Sequence, residues 1–281
     1  MLVESHFTGT GNFDRVLSWV HDDIQLTRAF DCDANAREVI GGKYQIVGND
    51  VAWARDYGRA DIVIGSPPCE AFTVSGSGIV LGLSSEWLSS LLRVRQVRPT
   101  WVVYEGFTGA PWAEVREMLE KLGYVVALST VRAYECGAPH VRGRVFLLAA
   151  KDPFIIHAPM YKKYKGPMIP TPTETMLIHS GCRTRKGIPN FHEWVSENRD
   201  IQAWPTEQWF QTIGWKPVNN DLLNSFVECA GEWLMGFTNN AIRKHHFSHR
   251  TACRLIGSAT LPQQAHLGLW RTSLEVNRLL A

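Results

Sequence analysis

Long apolar runs, paired cysteines and an excess of charge are all lacking in this chain of 281 residues. No apolar run approaches the ~18 residues that cross a membrane, and no secretory signal is visible, so we predict a cytoplasmic protein without a membrane partner. The six cysteines include no Cys-x-x-Cys pair, which favours reduced thiols over a disulfide framework. The formal net charge is only +2, so any nucleic-acid-binding surface must be local.

Short apolar strands alternate with helical stretches over residues 1–150. Strands are predicted over 25–30, 62–64, 101–104 and 145–149, and helices over 14–20, 34–40 and 113–122, with a last helix over 263–280. This alternation predicts an α/β fold with a parallel, doubly wound sheet.

The composition changes after residue 150. Residues 151–225 contain eight prolines and show weak periodicity, which indicates a second unit or a large irregular insertion. We therefore divide the chain into a sheet domain (1–150), a small irregular domain (151–225) and a C-terminal segment (226–281) that returns to the sheet domain.

One thiol stands directly after a predicted strand. The run 62–64 ends in a Gly-Ser-Pro-Pro turn, and Cys69 follows it. The two prolines restrict the backbone, and the carboxyl ends of strands are where open α/β sheets bind ligands. A buried cysteine in a turn is the alternative for this segment alone.

Three downstream segments decide between these interpretations. The strand over 101–104 ends in Glu105, Arg142 and Arg144 lead into the strand over 145–149, and a Gly-Ser-Ala-Thr-Leu run begins at Gly257. Together with the Cys69 turn, Phe-Thr-Gly-Thr-Gly-Asn-Phe at 7–13 and Glu-Trp-Leu-Met-Gly-Phe at 232–237, these segments make six motifs in order.

This set resembles the DNA (cytosine-5) methyltransferase family of bacteria and phages, whose motifs read Pro-Cys-Gln, Glu-Asn-Val, Gln-x-Arg-x-Arg and Gly-Asn-x-Val. The resemblance covers the chain except for about 151–220. It implies a Rossmann-like methyltransferase sheet, S-adenosylmethionine as cofactor, a small target-recognition domain over 151–225, and methyl transfer to C5 of cytosine in double-stranded DNA. Glu70, His140 and Ser258 stand where the family has Gln, Gln and Asn, and Gly106 follows Glu105 in place of Asn.

The expected cofactor residues lie at successive strand ends. Glycines in the first loop let the backbone approach a ligand, and an acid after the second strand commonly binds ribose hydroxyls. Without the other motifs, a plain turn and solvated carboxylates would be the default. By resemblance, Asp31 binds the ribose, Phe7 lies against adenine and Asp50 meets its amino group. The full predicted set is Phe7, Gly9, Gly11, Asp31, Asp50, Pro67 and Ser258.

The resemblance also assigns the chemistry. Cys69 adds to C6 of cytosine, and Glu105 hydrogen-bonds N3 and the exocyclic amine. Arg142 and Arg144 orient the base and contact the phosphate or Glu105. The alternatives are a solvated glutamate for Glu105 and a surface pair for the two arginines.

The target carbon is inaccessible within a duplex, so the base must be flipped out. We expect Ser75, in the Gly/Ser run 74–78, to lie in a loop that closes on DNA. Two basic stretches offer phosphate contacts, with solvated surface as the equally weighted alternative; they contain Arg183, Arg185 and Lys186, and Arg243, Lys244 and Arg250. Histidines near 245–249 and Cys253 lack a second ligand pair, so no metal is expected.

We therefore predict a monomeric enzyme, a DNA (cytosine-5-)-methyltransferase of a bacterial or phage-infected cell. Its role stays open among restriction-modification, phage self-protection and an orphan enzyme. The alternatives are an RNA cytosine-5 methyltransferase of the same fold and a catalytically silent DNA-binding relative.

Overall fold

The computed structural model describes residues 1–51, 57–68, 83–138, 142–159, 242 and 245–281, with the side chains of all of these except 249, 250 and 253. Within this part of the chain the strands are β1 Leu2–His6, β2 Gln25–Phe30, β3 Ile46–Gly48, β4 Ile62–Gly65, β5 Trp101–Gly106, β6 Val125–Arg132 and β7 Gly143–Ala150. The helices are α1 Leu17–Val20, α2 Ala34–Ile40, α3 Ser85–Val97, α4 Trp112–Lys121, α5 His249–Ser258 and α6 Pro262–Leu280, with 3₁₀ turns at Asp14–Val16 and Ala133–Cys136.

The strands form one sheet in the order β3-β2-β1-β4-β5-β7-β6. The pairs from β3 to β5 are parallel. The strand order reverses between β1 and β4, because the chain builds β2 and β3 on one side of β1 and then crosses to the other. A reversal of this kind opens a crevice at the carboxyl ends of the strands, where ligands bind in open α/β sheets.

The predicted α/β, doubly wound fold is confirmed, but the prediction of a wholly parallel sheet is wrong at one strand. β7 runs antiparallel to β5, with Trp101 opposite Ala150 and Glu105 opposite Phe146. The link from β6 to β7 is short and its described part holds a 3₁₀ turn, whereas a parallel return needs a crossover of about a dozen residues or more.

The core on one side of the sheet explains why α3 and α4 form. Both helices place apolar residues at three- and four-residue spacing, and these pack onto the β4 and β5 strands. Trp87, Leu91, Val115 and Leu119 are fully buried in this cluster with Tyr104. The packing fixes α3 and α4 against the strands whose carboxyl ends form the candidate site.

The chain divides into two compact units. The first contains Met1–Val131, Gly143–Pro159 and Ala265–Ala281, and the second contains Arg132–Arg142 and Met160–Gln264. In the first unit, Asn277 of α6 exchanges hydrogen bonds with the backbone of Phe154, its Oδ1 accepting at 2.9 Å and its Nδ2 donating at 3.1 Å. The C-terminal helix is thereby tied to the segment that leaves β7.

Candidate active site

The loop after β1 is built from left-handed backbone. Phe7, Gly9 and Gly11 have φ values of 54°, 55° and 75°. At Gly11 a Cβ atom would stand 3.2 Å from the Ile40 side chain, so both the conformation and the space favour glycine there. The Gly11 amide donates to the Thr8 carbonyl at 3.0 Å, which closes the turn.

Asp31 joins this loop to the end of β2. Its Oδ2 accepts from the Gly9 amide at 2.7 Å, and its Oδ1 accepts from the Asp33 amide at 2.9 Å. Burial raises the pKa of the Asp31 carboxyl, and these two backbone bonds oppose that rise. Arg37 donates to the Asp31 carbonyl at 2.7 Å and braces the turn from α2. A carboxylate has about four acceptor sites, so Asp31 retains capacity for further donors.

An apolar corner lies beside Asp31. Phe7 and Tyr57 pack against the buried side chains of Phe30 and Val51. Asp50 is exposed two residues after β3 ends, so the predicted Phe7, Asp31 and Asp50 stand at the ends of three adjacent strands.

A buried acid beneath the loop was not predicted. Asp14 is 1% exposed and accepts a short hydrogen bond from the Tyr44 hydroxyl. Burial raises the pKa of Asp14 to about 6, against the lowering effect of hydrogen bonds from Ser5 and Tyr44. The one signal in the sequence was an acid placed three residues after Gly11, at the start of an apolar helical stretch.

The second half of the site surrounds Glu105 at the end of β5. This carboxyl group is 3% exposed, and its Oε1 lies 2.6 Å from Nε of Arg144. Its Oε2 accepts from the Ser66 hydroxyl at 2.8 Å. Arg144 lies two residues before Phe146, the register partner of Glu105, which makes the ion pair a diagonal cross-strand contact. Ser66 is a site residue that sequence reasoning missed, and its only signal was a hydroxyl at the end of a strand beside that of Glu105.

The turn after β4 leads towards the predicted nucleophile. The Ser66 amide donates to the His6 carbonyl at 3.1 Å, which fixes the start of the turn against β1. Pro67 is buried and Pro68 is exposed. Cys69 itself lies outside the described residues.

Two predicted residues belong to the second compact unit. The Arg142 carbonyl accepts from the Ala133 amide at 3.0 Å and from Nε2 of Gln264 at 2.7 Å. Ser258 is the exposed last residue of α5, and its hydroxyl donates to the Leu255 carbonyl at 3.1 Å. The expected roles of Arg142 and Ser258 stay predictions.

The remaining predictions fall beyond the described part of the chain. These residues are Cys69, Ser75, Arg183, Arg185, Lys186, Arg243 and Lys244, together with the side chain of Arg250 in α5. Among the residues that are described, no three His, Cys, Asp or Glu side chains gather into a metal-binding group. Within the same residues, no helix is both long and apolar enough to cross a membrane.

The sequence matches a known protein family. The model of the C-5 cytosine-specific DNA methylase family matches residues 1–208. The chain belongs to this family. The match includes the glycine loop, the Pro67-Pro68 turn, Glu105 and Arg144, so the resemblance drawn from six short motifs is confirmed.

Individual methylases are similar over shorter stretches. The Type II methyltransferase M1.HphI of Haemophilus parahaemolyticus is 31% identical over 106 residues, which are 34% of this chain and 28% of that protein. The chain thus matches less than a third of the length of such relatives.

Solved structures show the same fold over nearly the whole chain. The S. pombe Dnmt2 methyltransferase superposes with a TM-score of 0.60 at 17% identity and covers 99% of both chains. The Entamoeba histolytica methyltransferase EhMeth gives a TM-score of 0.61 at 13% identity, over 98% of both chains.

Proposed function

We propose that this methylase family member transfers a methyl group from S-adenosylmethionine to C5 of a flipped cytosine in double-stranded DNA, through a covalent intermediate on Cys69. The observation that carries the proposal is the buried Glu105 carboxylate, held by Arg144 and Ser66 next to the turn that leads to Cys69. A carboxylate so fixed matches the exocyclic amine of cytosine, which is a hydrogen-bond donor.

The residues at the ends of β1, β2 and β3 fit the proposed cofactor. The left-handed backbone at Gly9 and Gly11 leaves no side chain between the loop and a ligand. Asp31 has acceptor sites for ribose hydroxyls, and Phe7 offers an apolar face for adenine. When bound, S-adenosylmethionine supplies a methyl group on a positively charged sulfur.

Cytosine C5 is a weak nucleophile, and Cys69 overcomes this weakness by covalent catalysis. Its thiolate adds to C6, which forms an S–C6 bond and moves electron density onto C5. Glu105 lies at the N3 and N4 edge of the ring, where it accepts from the exocyclic amine and passes a proton to N3 as the thiolate adds. Arg144 keeps the carboxyl group in place. After methyl transfer a water molecule takes the C5 proton, the electron pair of that C–H bond re-forms the C5–C6 double bond, and the S–C6 bond breaks to restore the thiolate. The N3 proton returns to Glu105 in the same elimination.

The substrate and the biological role complete the proposal. The chemistry requires a base outside the stack, which implies base flipping. The relatives named as Type II methyltransferases support a role in restriction-modification. We further propose that this chain acts as a monomer, in a bacterium or in a phage-infected cell. We propose that residues 151–225 select the target sequence, with Arg183, Arg185 and Lys186 among the contacts, and that Ser75, Arg243, Lys244 and Arg250 hold the DNA.

A mechanism-based trap tests the reaction directly. Fluorine at C5 cannot leave as a proton would, so a duplex with 5-fluorocytosine at the target should capture the protein in a covalent adduct when S-adenosylmethionine is present. Bisulfite sequencing of host DNA after expression first locates the target context. The adduct is then measured by denaturing gel electrophoresis.

Cysteine variants provide the control. Cys69→Ser should abolish the adduct, because a hydroxyl is far less ionised than a thiol at neutral pH, whereas serine at each of the other five cysteines should preserve it. An adduct that persists in Cys69→Ser would contradict the mechanism. Methyl transfer to RNA and not to DNA would contradict the proposed substrate.

A further inference from the structure

Three residues lie side by side across the centre of the sheet, one position before the candidate site. His6 on β1 is the register partner of Gly65 on β4, and Gly65 is the partner of Tyr104 on β5. The residues that follow them in the chain are Phe7, Ser66 and Glu105. Any displacement of this row is therefore passed directly to the site residues.

Ser90 of α3 connects the two ends of the row. Its Oγ lies 2.7 Å from Nδ1 of His6 and 2.6 Å from the hydroxyl of Tyr104, and all three side chains are fully buried. Gly65 leaves the space for this connection. A Cβ atom there would stand 3.2 Å from the Tyr104 ring and 3.0 Å from the His6 carbonyl.

The donor and the acceptor of each hydrogen bond in this network follow from the charges of Glu4 and His6. Burial raises the pKa of Glu4, but hydrogen bonds from Arg93 and His6, together with the charge of Arg93, outweigh it and lower that pKa to about 2. The ionised Glu4 is only an acceptor, so Nε2 of His6 donates to it at 3.0 Å. Burial also lowers the pKa of His6, which keeps the ring neutral and leaves Nδ1 as an acceptor for the Ser90 hydroxyl. The Tyr104 hydroxyl then donates to Ser90.

The order Glu4, His6, Ser90 resembles a hydrolytic triad, but its surroundings exclude that chemistry. All three side chains are 0% exposed, so no substrate reaches the serine oxygen. A nucleophile must lie beside a space for the reacting atom. Ser90 instead faces the Tyr104 hydroxyl, which makes the network a structural connection.

We propose that the chain Tyr104–Ser90–His6 is a positioning device that holds the ends of β1 and β5 in register, so that Phe7 and Glu105 keep their places relative to each other. The proposal rests on the proposed methyl transfer, in which Phe7 and Glu105 serve cofactor and base. Ser90, His6 and Tyr104 act through these two residues and touch neither ligand.

The test compares two buried tyrosines on the same core. Tyr104→Phe removes one hydroxyl from the row. Tyr124→Phe is the matched control, because the Tyr124 hydroxyl is buried in the same cluster and donates to the Pro99 carbonyl at 2.6 Å, before the opposite end of β5. Ser90→Ala removes both connections.

Three quantities are measured for each variant: the melting temperature, the affinity for S-adenosylmethionine and the single-turnover rate of methyl transfer. Tyr104→Phe should lower the transfer rate about tenfold, the value of one hydrogen bond of ~1.4 kcal/mol, without weakening cofactor binding. Ser90→Ala should lower both the rate and the affinity, because it also releases β1. Tyr124→Phe should lower the melting temperature only.

Amide hydrogen exchange of the ligand-free protein gives a second readout that needs no activity. Peptides that cover 1–9, 62–68 and 101–107 should exchange several-fold faster in Ser90→Ala than in Tyr124→Phe, since released strand ends open more often. If the wild-type protein transfers no methyl group to DNA, the proposed function is wrong. The exchange comparison then still tests whether the row holds the strand ends in place. Equal exchange in Ser90→Ala and Tyr124→Phe, or equal transfer rates in Tyr104→Phe and Tyr124→Phe, would overturn the positioning role.

Discussion

The buried carboxyl of Asp14 makes the stability of this fold depend on pH in an unusual direction. Most acids in folded proteins have lowered pKa values and stabilise the fold as pH rises. Asp14 has a pKa raised to about 6, because it is buried beneath the glycine loop, and this burial outweighs the hydrogen bond from the Tyr44 hydroxyl. Lys43 attracts it, but the lysine is exposed. Replacing Asp14 by Asn keeps an oxygen acceptor for Tyr44 and removes the titration.

The size and sign follow from proton linkage. An ordinary aspartate has a pKa of 3.8, so between pH 3.8 and 6 the unfolded chain has lost a proton that folded Asp14 still holds. The free energy of unfolding therefore falls as pH rises through this window, and the difference between the two pKa values corresponds to about 3 kcal/mol. Above pH 6 the ionisation of Asp14 lowers the free energy of unfolding by this full amount, and below pH 3.8 it does not lower it.

Urea unfolding followed by tryptophan fluorescence, at one-unit steps from pH 4 to pH 8, measures this effect. The stability of Asp14→Asn relative to wild type should increase by about 3 kcal/mol between pH 4 and pH 7, with unchanged urea dependence. Asp61→Asn is the control of opposite sign. A hydrogen bond from the Leu2 amide, together with Arg59, lowers the pKa of Asp61, so that this variant should lose stability relative to wild type at neutral pH and recover it in acid.

Parallel pH profiles for wild type and Asp14→Asn would refute the reasoning. They would mean that Asp14 is ionised in the folded protein at ordinary acid pH, and that its burial is compensated by a group outside the described residues.

Three further predictions concern the site. Asp31→Ala should weaken S-adenosylmethionine binding about tenfold or more in calorimetry, because it removes charge-assisted bonds to ribose and the anchor of Gly9; unchanged affinity would place the cofactor elsewhere. Glu105→Gln should lower turnover by a factor on the order of a hundred while DNA binding survives in a gel-shift assay, and near-normal turnover would leave Glu105 a structural role. Changing Arg183 or Arg185 should alter target preference or DNA affinity in a methylation assay on a mixed-sequence library, and no effect of either change would move recognition to another segment.

The sequence predicted the elements that carry their own local signals. The strand Gln25–Phe30 and the helix Ala34–Ile40 match the prediction to the residue. The start of the helix carries a local signal, because the Asp33 side chain caps it by accepting from the Asn35 amide. The helix α3 was not predicted, since its Ser85–Val97 sequence mixes buried Arg93 and Ser90 with exposed Leu88 and Leu92. Its buried Trp87, Leu91 and Val94 do follow helical spacing, but the burial of Ser90 and Arg93 on the same helix is explained only by their polar partners on β1.

The same limit applies to the candidate site. Glu105 and Arg144 were predicted from motif order, and their contact follows from a cross-strand register that no single motif contains. Ser66 and Asp14 were missed because their roles depend on neighbours 39 and 30 residues away in the chain. Pairings at that separation are set by the sheet topology, which residue spacing alone does not encode.

The buried contacts of α3 also restrict how this chain can change in length. Ser90 and Arg93 are three residues apart on the helix and reach His6 and Glu4, which are two apart on β1. Deleting one residue between them would rotate one contact by about 100° relative to the other, and leave a buried charge without its partner. Insertions and deletions in related chains should therefore be absent from this turn of α3. Relatives that share the row should have a serine and an arginine three positions apart at this point of the helix, with no gap between them.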